Sequence, residues 1–220
     1  MDDQLIIEYV RMLSVSLRRQ KNITASDIEA VRKIYAMDKI SECVARIKQL
    51  CGLNIPIVIG CLRGCPDQDS LMRVVKKGND LLGQHRFQPS PLEVKKLCDS
   101  VQRGTTAAFL MGHSNIPAFG TRDFETYKVA IFIFDWIKNY PFETFALSIT
   151  HELSHIVLRA IRHPLEADEI AVDLTAMILG FHDIYRLGRI SGNKKLGYLD
   201  DHQFQIAYDE IRRREKIIYL

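Results

Sequence analysis

Several features are scarce in this chain of 220 residues. It has only five cysteines, a small and odd number that argues against a disulfide framework. Its 30 basic and 27 acidic residues leave a net charge of +3, which is too balanced to indicate a nucleic-acid-binding or membrane-surface protein. No apolar run approaches the roughly 18 residues of a membrane span, and the opening MDDQLIIEYV does not form a secretory signal. We therefore expect a cytoplasmic protein that binds neither nucleic acid nor membrane.

The rest of the composition is ordinary for a globular protein, 47% hydrophobic and 26% charged. Apolar residues spaced by three and four predict helices, at 3–18, from about 24 to 52, at 69–82, 90–101 and 141–162, from 164 to about 180, and at 200–217. Short β-branched and apolar runs predict strands at 55–62, 105–112 and 128–136. Ser26 and Glu29 have the spacing of a capping box, and residues 181–199 read as irregular. We predict an α+β protein whose first ~100 residues form a mostly helical lobe.

The most informative stretch is SITHELSHIVL at 148–158, which contains an H-E-x-x-H pattern. His151 and His155 are four residues apart, so on a helix they share one face and their nitrogens can meet one zinc ion. Glu152 is turned by about 100° around the helix, where it can accept a proton from an attacking water instead. The surrounding helix is apolar, and a charged trio there is costly unless it is paired or binds metal. Two half-buried histidines satisfied by hydrogen bonds are the alternative.

A catalytic zinc site needs a third protein ligand. The metzincin pattern fails, because Leu158 and Ile161 stand where it needs glycine and histidine. The next predicted helix offers Glu169 and Asp173 on one face, so Glu169 can bind zinc while Asp173 accepts a hydrogen bond from a ligand histidine. Glu166 remains an alternative third ligand, although no acidic partner follows it one turn later. An ordinary acidic first turn would explain this cluster only in part, because Asp173 lies mid-helix among apolar residues.

The sequence HELSH followed by EIAVD resembles the H-E-x-x-H … E-x-x-x-D arrangement of the gluzincin zinc metallopeptidases, the thermolysin-like clan. The resemblance covers residues 151–173, and the short gap between its two parts is similar to that of compact cytoplasmic members. It implies a zincin-like fold, with a small β-sheet beside the helix that carries the motif. It also implies one metallopeptidase domain over 1–220, with an N-terminal lobe at 1–102 and a catalytic region at 103–220.

The same resemblance implies roles for individual residues. His151, His155 and Glu169 would bind Zn²⁺, Glu152 would act as general base, and Asp173 would hold a ligand histidine. The implied activity is zinc-dependent hydrolysis of a peptide or protein substrate.

Two parts of this implied site stay open. An exposed strand edge, at 105–112 or 128–134, would hold the substrate, with His113 near the cleft. The donor for the oxyanion is left open among His182, Tyr185, Tyr198, His202 and Tyr208.

Two other functions are compatible with these residues. One is a zinc hydrolase of a non-peptide substrate, and the other is a non-catalytic interaction or regulatory module that binds zinc. The presence of Glu152 argues against the second, because a purely structural zinc site needs no base.

Overall fold

The computed structural model describes residues 3–17, 23–63, 67–82, 89–102, 108–112, 115–191 and 194–218. Within these ranges the protein has the predicted α+β architecture, mostly helical with a small sheet. None of the described helices is long and apolar enough to cross a membrane. The predicted boundary between a lobe at 1–102 and a catalytic region at 103–220 stays a prediction.

The N-terminal part forms three helices, α1 (Asp3–Ser16), α2 (Ala25–Ala36) and α3 (Ile40–Leu50). The predicted capping box at Ser26 and Glu29 is wrong by two residues. Thr24 accepts a hydrogen bond from the Asp27 N–H (3.2 Å), and the Thr24 N–H donates to the Asp27 carboxylate (3.1 Å). The single predicted helix is also divided in two, because Asp38 adopts a left-handed conformation (φ 55°) that ends α2.

The sheet has three strands, β1 (Ile57–Leu62), β2 (Ala108–Met111) and β3 (Val129–Phe134). All three fall within the predicted strands. Their order is β1–β3–β2, with β1 parallel and β2 antiparallel to β3. The described strands therefore place β3 in the centre and leave β2 at one edge, so 128–134 cannot offer the open edge that the sequence allowed as an alternative.

Both faces of the sheet are covered, which explains why its strands are continuous apolar runs. Phe132 and Phe134 point into a cluster formed with α4 (Gln68–Leu82) and α5 (Pro91–Gln102). Ile131 and Ile133 point the other way, into the larger core that includes α7 (Phe142–Ala160). A short helix, α6 (Arg122–Thr126), lies in the connection between β2 and β3.

The C-terminal part continues with α8 (Glu169–Ala176), a π-helical turn (Met177–Phe181), α9 (His182–Gly188), the hairpin β4 (Ile190–Ser191) and β5 (Lys194–Lys195), and α10 (Asp201–Ile218). The prediction that 181–199 is irregular is wrong for α9 and for this hairpin. Gly180 does interrupt the helix (φ 109°), but the chain turns helical again because α9 packs on α7. At Gly188 an added Cβ would collide with the backbone of Glu143.

Candidate metal centre

His151 and His155 lie on consecutive turns of α7, a helix that is mostly buried. Ile149, Leu153 and Ile156 on this helix are fully buried and anchor it in the core. The two histidine side chains keep 13% and 15% exposure. Their ring centroids are 5.1 Å apart and the rings are nearly perpendicular. The packing of α7 therefore holds both imidazoles at the margin of the core, where both face the beginning of α8.

Glu169 reaches the two histidines because of where α8 begins. Asp168 caps this helix by accepting hydrogen bonds from two backbone N–H groups of the first turn, at 2.9 and 3.1 Å. Glu169 is consequently its first residue. Its Oε2 lies 3.2 Å from Nε2 of His151 and 3.5 Å from Nε2 of His155. The possible ligand atoms of these three residues all lie within 4.8 Å of one another.

This spacing suits a zinc ion. In a tetrahedral site with bonds of about 2.0–2.1 Å, neighbouring ligand atoms are about 3.3 Å apart. The two distances from Glu169, 3.2 and 3.5 Å, lie on either side of that value. Two imidazole nitrogens and one carboxylate oxygen are also a donor set that catalytic zinc accepts, with one position left for water or substrate. The residues present therefore fit the ion that the sequence pattern implies.

The charges around the histidines favour a cation between them. Burial lowers the pKa of His151, but hydrogen bonds to Asp173 and Glu169 outweigh it and raise that pKa to about 10. Burial likewise raises the pKa of Glu169, but both histidines oppose it and hold the pKa well below its usual range. Two carboxylates thus stabilise positive charge at this position, whether a proton or a metal ion carries it.

Asp173 fixes the orientation of His151. Its side chain is fully buried, and its Oδ1 accepts hydrogen bonds from Nδ1 of His151 (2.8 Å) and from the Tyr185 hydroxyl (3.1 Å). Its Oδ2 accepts one from the Tyr198 N–H (2.6 Å). With Nδ1 held in this way, Nε2 of His151 is directed to Glu169. A carboxylate behind a ligand histidine sets its tautomer and ring plane and increases its basicity as a ligand.

One side of the site is formed by the segment 196–199, of which the sequence analysis named only Tyr198. The ring of Tyr198 is stacked on His151, with centroids 5.6 Å apart and planes 19° apart, and the residue is 58% exposed. Gly197 has a φ of +86°, and an added Cβ would lie 2.9 Å from Oδ2 of Asp173. Glycine is needed here for both reasons. In the sequence, the glycine of GYLDD is only a weak turn signal. The close approach that requires glycine involves Asp173, which is distant in sequence and so leaves no local pattern.

Glu152 lies on α7 between the two histidines and faces the edge strand. Burial raises its pKa, the nearby histidines oppose this, and the raising effect prevails. The backbone of Leu110, on β2, acts on this carboxylate and lowers its pKa, so the two lie close together. The described strands leave β2 at one edge of the sheet. Glu152 and this edge strand are therefore neighbours.

The remaining candidates lie elsewhere. Glu166 is in the turn between α7 and α8, interacts electrostatically with Arg159, and is not part of the His–His–Glu group. Nε2 of His182 lies 3.8 Å from Oδ2 of Asp183, and the Tyr208 hydroxyl donates a hydrogen bond to Oδ1 of the same carboxylate.

One further candidate lies at the surface, away from the described site. The His202 imidazole hydrogen bonds to the Asp3 carboxylate at the surface. His113 lies outside the described residues.

Comparison with known proteins gives no family assignment. The chain matches no protein-family model, no curated protein and no solved structure. Its function must be inferred from the geometry and the chemistry of the site.

Proposed function

We propose that the protein is a zinc-dependent metallopeptidase of gluzincin type with a zincin-like fold. The observation that supports this best is the convergence of His151, His155 and Glu169, with oxygen-to-nitrogen distances of 3.2 and 3.5 Å. These residues would hold the ion, and Asp173 would keep His151 in the binding orientation. Bound zinc supplies Lewis acidity, which lowers the pKa of water and polarises a carbonyl group.

Glu152 is the general base of the proposed reaction. Its carboxylate takes the proton of the attacking water and later delivers it to the leaving amine. The burial that raises its pKa suits both steps, because a base with a pKa closer to neutrality is also a better proton donor. The two histidines occupy the neighbouring face of α7, and Glu169 approaches them from the first turn of α8. The base and the proposed ligands therefore stand beside one substrate position.

The edge of β2 favours a peptide as the substrate. An extended peptide can add to an exposed strand edge through main-chain hydrogen bonds, which recognise the backbone whatever its side chains. Leu110 belongs to this edge strand, and its backbone lies beside Glu152. A peptide paired with β2 would therefore pass directly over the base. Within the described part of the chain, no comparable feature favours a small ester or a nucleotide.

Among the candidate donors, Tyr198 is the one whose ring is stacked on a proposed zinc ligand, so we assign it to the oxygen that gains negative charge during the reaction. Burial and the carboxylates of Glu169, Asp173 and Glu152 raise its pKa to about 12. The phenol therefore keeps its proton at neutral pH and can donate a hydrogen bond, the usual form of oxyanion stabilisation. Tyr185 is unsuited to this role, because it is buried and its hydroxyl already donates to Asp173.

The proposal is tested by metal content and by a single substitution. Untagged protein purified without added metal should contain about one zinc per chain, measured by mass spectrometry. It should cleave members of a mixture of unstructured peptides. Glu152→Gln should abolish cleavage and keep the zinc, whereas Glu166→Gln, a matched change outside the His–His–Glu group, should keep both.

Each alternative gives a different result. No zinc, even after it is supplied, would overturn the metal site and the peptidase together. Zinc without peptide cleavage, but with Glu152-dependent hydrolysis of another bond, would indicate a different zinc hydrolase. A biological function that Glu152→Gln leaves unchanged would indicate a zinc-binding module without catalysis.

A further inference from the structure

The segment 196–199 is attached at both ends to one residue, Arg189. The Leu196 N–H donates to the Arg189 carbonyl oxygen (2.8 Å). At the other end, Nη2 of Arg189 donates to the Leu199 carbonyl oxygen (2.7 Å). Leu196 and Leu199 are themselves buried, so their side chains hold the two ends of the segment in the core. Its middle residues, Gly197 and Tyr198, are thereby presented to the metal site.

The guanidinium of Arg189 is itself buried, which is unusual for an arginine. The residue is 5% exposed, and its guanidinium carbon lies 4.4 Å from the ring centroid of Phe204. Nη2 also lies 3.1 Å from Oδ1 of Asp201, whose side chain is 76% exposed. An ion pair with so exposed a carboxylate contributes little by itself. The bond to Leu199 is therefore the contact that accounts best for a buried cation at this place.

The contacts continue from this segment to the proposed zinc ligand. The Tyr198 N–H donates to Asp173, Asp173 accepts from Nδ1 of His151, and the Tyr198 ring is stacked on the same imidazole. His151 is thus held from two sides, and both contacts depend on the backbone position of Tyr198. That position is set by the anchors on Arg189.

We propose that Arg189 is a positioning residue of the metal site, which acts through the segment 196–199 to hold Asp173 and His151 in the zinc-binding arrangement. This inference rests on the zinc site of the proposed function, but not on its peptidase activity. Arg189 touches neither the His–His–Glu group nor the position of a substrate. Its effect should therefore appear in metal affinity and coordination geometry.

Lys195 provides a matched control. Its Nζ lies 3.1 Å from Asp201 Oδ1, the same distance from the same oxygen as Nη2 of Arg189. Its side chain is 40% exposed, and no hydrogen bond to Leu199 is observed for it among the described residues. Arg189→Met and Lys195→Met each remove one cation from Asp201, but only the first removes an anchor of the segment. Arg189 also interacts electrostatically with Asp173, and Arg189→Lys, which keeps that charge, separates the two effects.

The experiment measures zinc affinity by competition with a chromophoric chelator, on the full chain and without substrate. We expect Arg189→Met to raise the Kd for zinc about ten-fold, the lower end of the range for partners of ligand residues. Lys195→Met should stay within about two-fold of wild type. The visible spectrum of the cobalt(II)-substituted protein should change in Arg189→Met only, because it reports the geometry of the ligands rather than the stability of the fold.

A double-mutant cycle tests the route. If Arg189 acts through Asp173, Arg189→Met should weaken zinc binding much less in an Asp173→Asn background than in wild type. Wild-type zinc affinity and an unchanged cobalt spectrum in Arg189→Met would overturn the inference, and so would additive effects in the cycle.

If Arg189→Met does not fold, Arg189→Lys is the variant to measure. It keeps the charge but loses the planar set of guanidinium N–H donors, and the inference requires weakened zinc binding there too. Absence of zinc from the wild-type protein would overturn the proposed function and this inference together, whereas an unaffected Arg189→Met overturns only the inference.

Discussion

Asp173→Asn changes the buried carboxylate behind His151 by one atom, and its effect can be worked out from the contacts. The carboxylate accepts three hydrogen bonds, from His151 Nδ1, the Tyr185 hydroxyl and the Tyr198 N–H. An asparagine can accept at one atom only. If its oxygen takes the Oδ1 position, its NH₂ group faces the Tyr198 N–H, formerly 2.6 Å from Oδ2. If the amide is flipped, so that its oxygen takes the Oδ2 position, His151 Nδ1 and the Tyr185 hydroxyl lose their acceptor.

The less harmful orientation therefore loses one charge-assisted hydrogen bond and leaves one buried donor opposed to another. These effects contribute about 1.5–3 and 1–3 kcal/mol, so we expect a loss of about 3 kcal/mol in the free energy of unfolding. For a chain of this size that corresponds to roughly 6–12 °C in Tm. The Kd for zinc should rise about 10- to 100-fold, because a neutral amide oxygen holds Nδ1 of His151 less firmly than the carboxylate does.

Chelator competition measures the Kd, and thermal unfolding of the zinc-free protein measures the stability. Asp183→Asn is a suitable control, because Asp183 also accepts a tyrosine hydroxyl, from Tyr208 at 2.7 Å, but at an exposed position. It should change stability by no more than about 0.5 kcal/mol and leave the Kd unchanged. An Asp173→Asn protein that binds zinc as tightly as wild type would refute the reasoning, even if its stability fell.

Three other substitutions test local features. Gly197→Ala should lower the free energy of unfolding by about 1–3 kcal/mol more than Gly120→Ala does. Both glycines have positive φ, but an added Cβ meets a neighbour within 4 Å, Asp173, only at Gly197. Equal losses in denaturant titrations would contradict this close approach. Arg162→Gly should stabilise the protein by about 0.5–1 kcal/mol, since Arg162 ends α7 with a φ of 55°, whereas Arg162→Ala should give no such gain. Burial lowers the pKa of His163, whose Nδ1 accepts a hydrogen bond from a backbone N–H. The neutral imidazole therefore stabilises the fold fully above the pKa of the unfolded state, about 6.5, and this contribution is lost as the pH falls below that value. The stability difference between wild type and His163→Gln should therefore shrink between pH 7 and pH 5, and a difference that grows would contradict this sign.

The elements that could be predicted are those with strong local patterns. The three strands are unbroken apolar runs, and α1 and α10 have apolar residues at regular helical spacing. The pairs His151/His155 and Glu169/Asp173 follow from helical periodicity alone, because residues four apart share a face. Helical periodicity alone does not show that the histidine face of α7 meets the acidic face of α8. That depends on the cap at Asp168, which sets where α8 begins.

The features that the sequence did not reveal depend on contacts between distant residues. The helix α9 is held by close packing on α7 rather than by a cap, since no side chain caps its first turn. Arg189 looks like an ordinary basic residue after a helix, and its burial comes from Phe204 and Leu199, which follow an intervening hairpin. Gly197 looks like an ordinary turn residue. In both cases the informative neighbour lies ten or more residues away, where spacing rules do not apply.

The surroundings of the His151 ring nitrogens make the strongest physical case for a cation at this site. Both of its ring nitrogens face carboxylate oxygens, Nδ1 at 2.8 Å from Asp173 and Nε2 at 3.2 Å from Glu169. A neutral imidazole has a single N–H and cannot donate to both, so the approach of Nε2 to Glu169 calls for a proton or a metal ion between them. A proton on Nε2 would satisfy that one contact and would leave the approach of His155 to the same oxygen, at 3.5 Å, without a cause. An ion bound by all three residues accounts for both distances at once, and it leaves the Nδ1 proton of His151 where Asp173 accepts it.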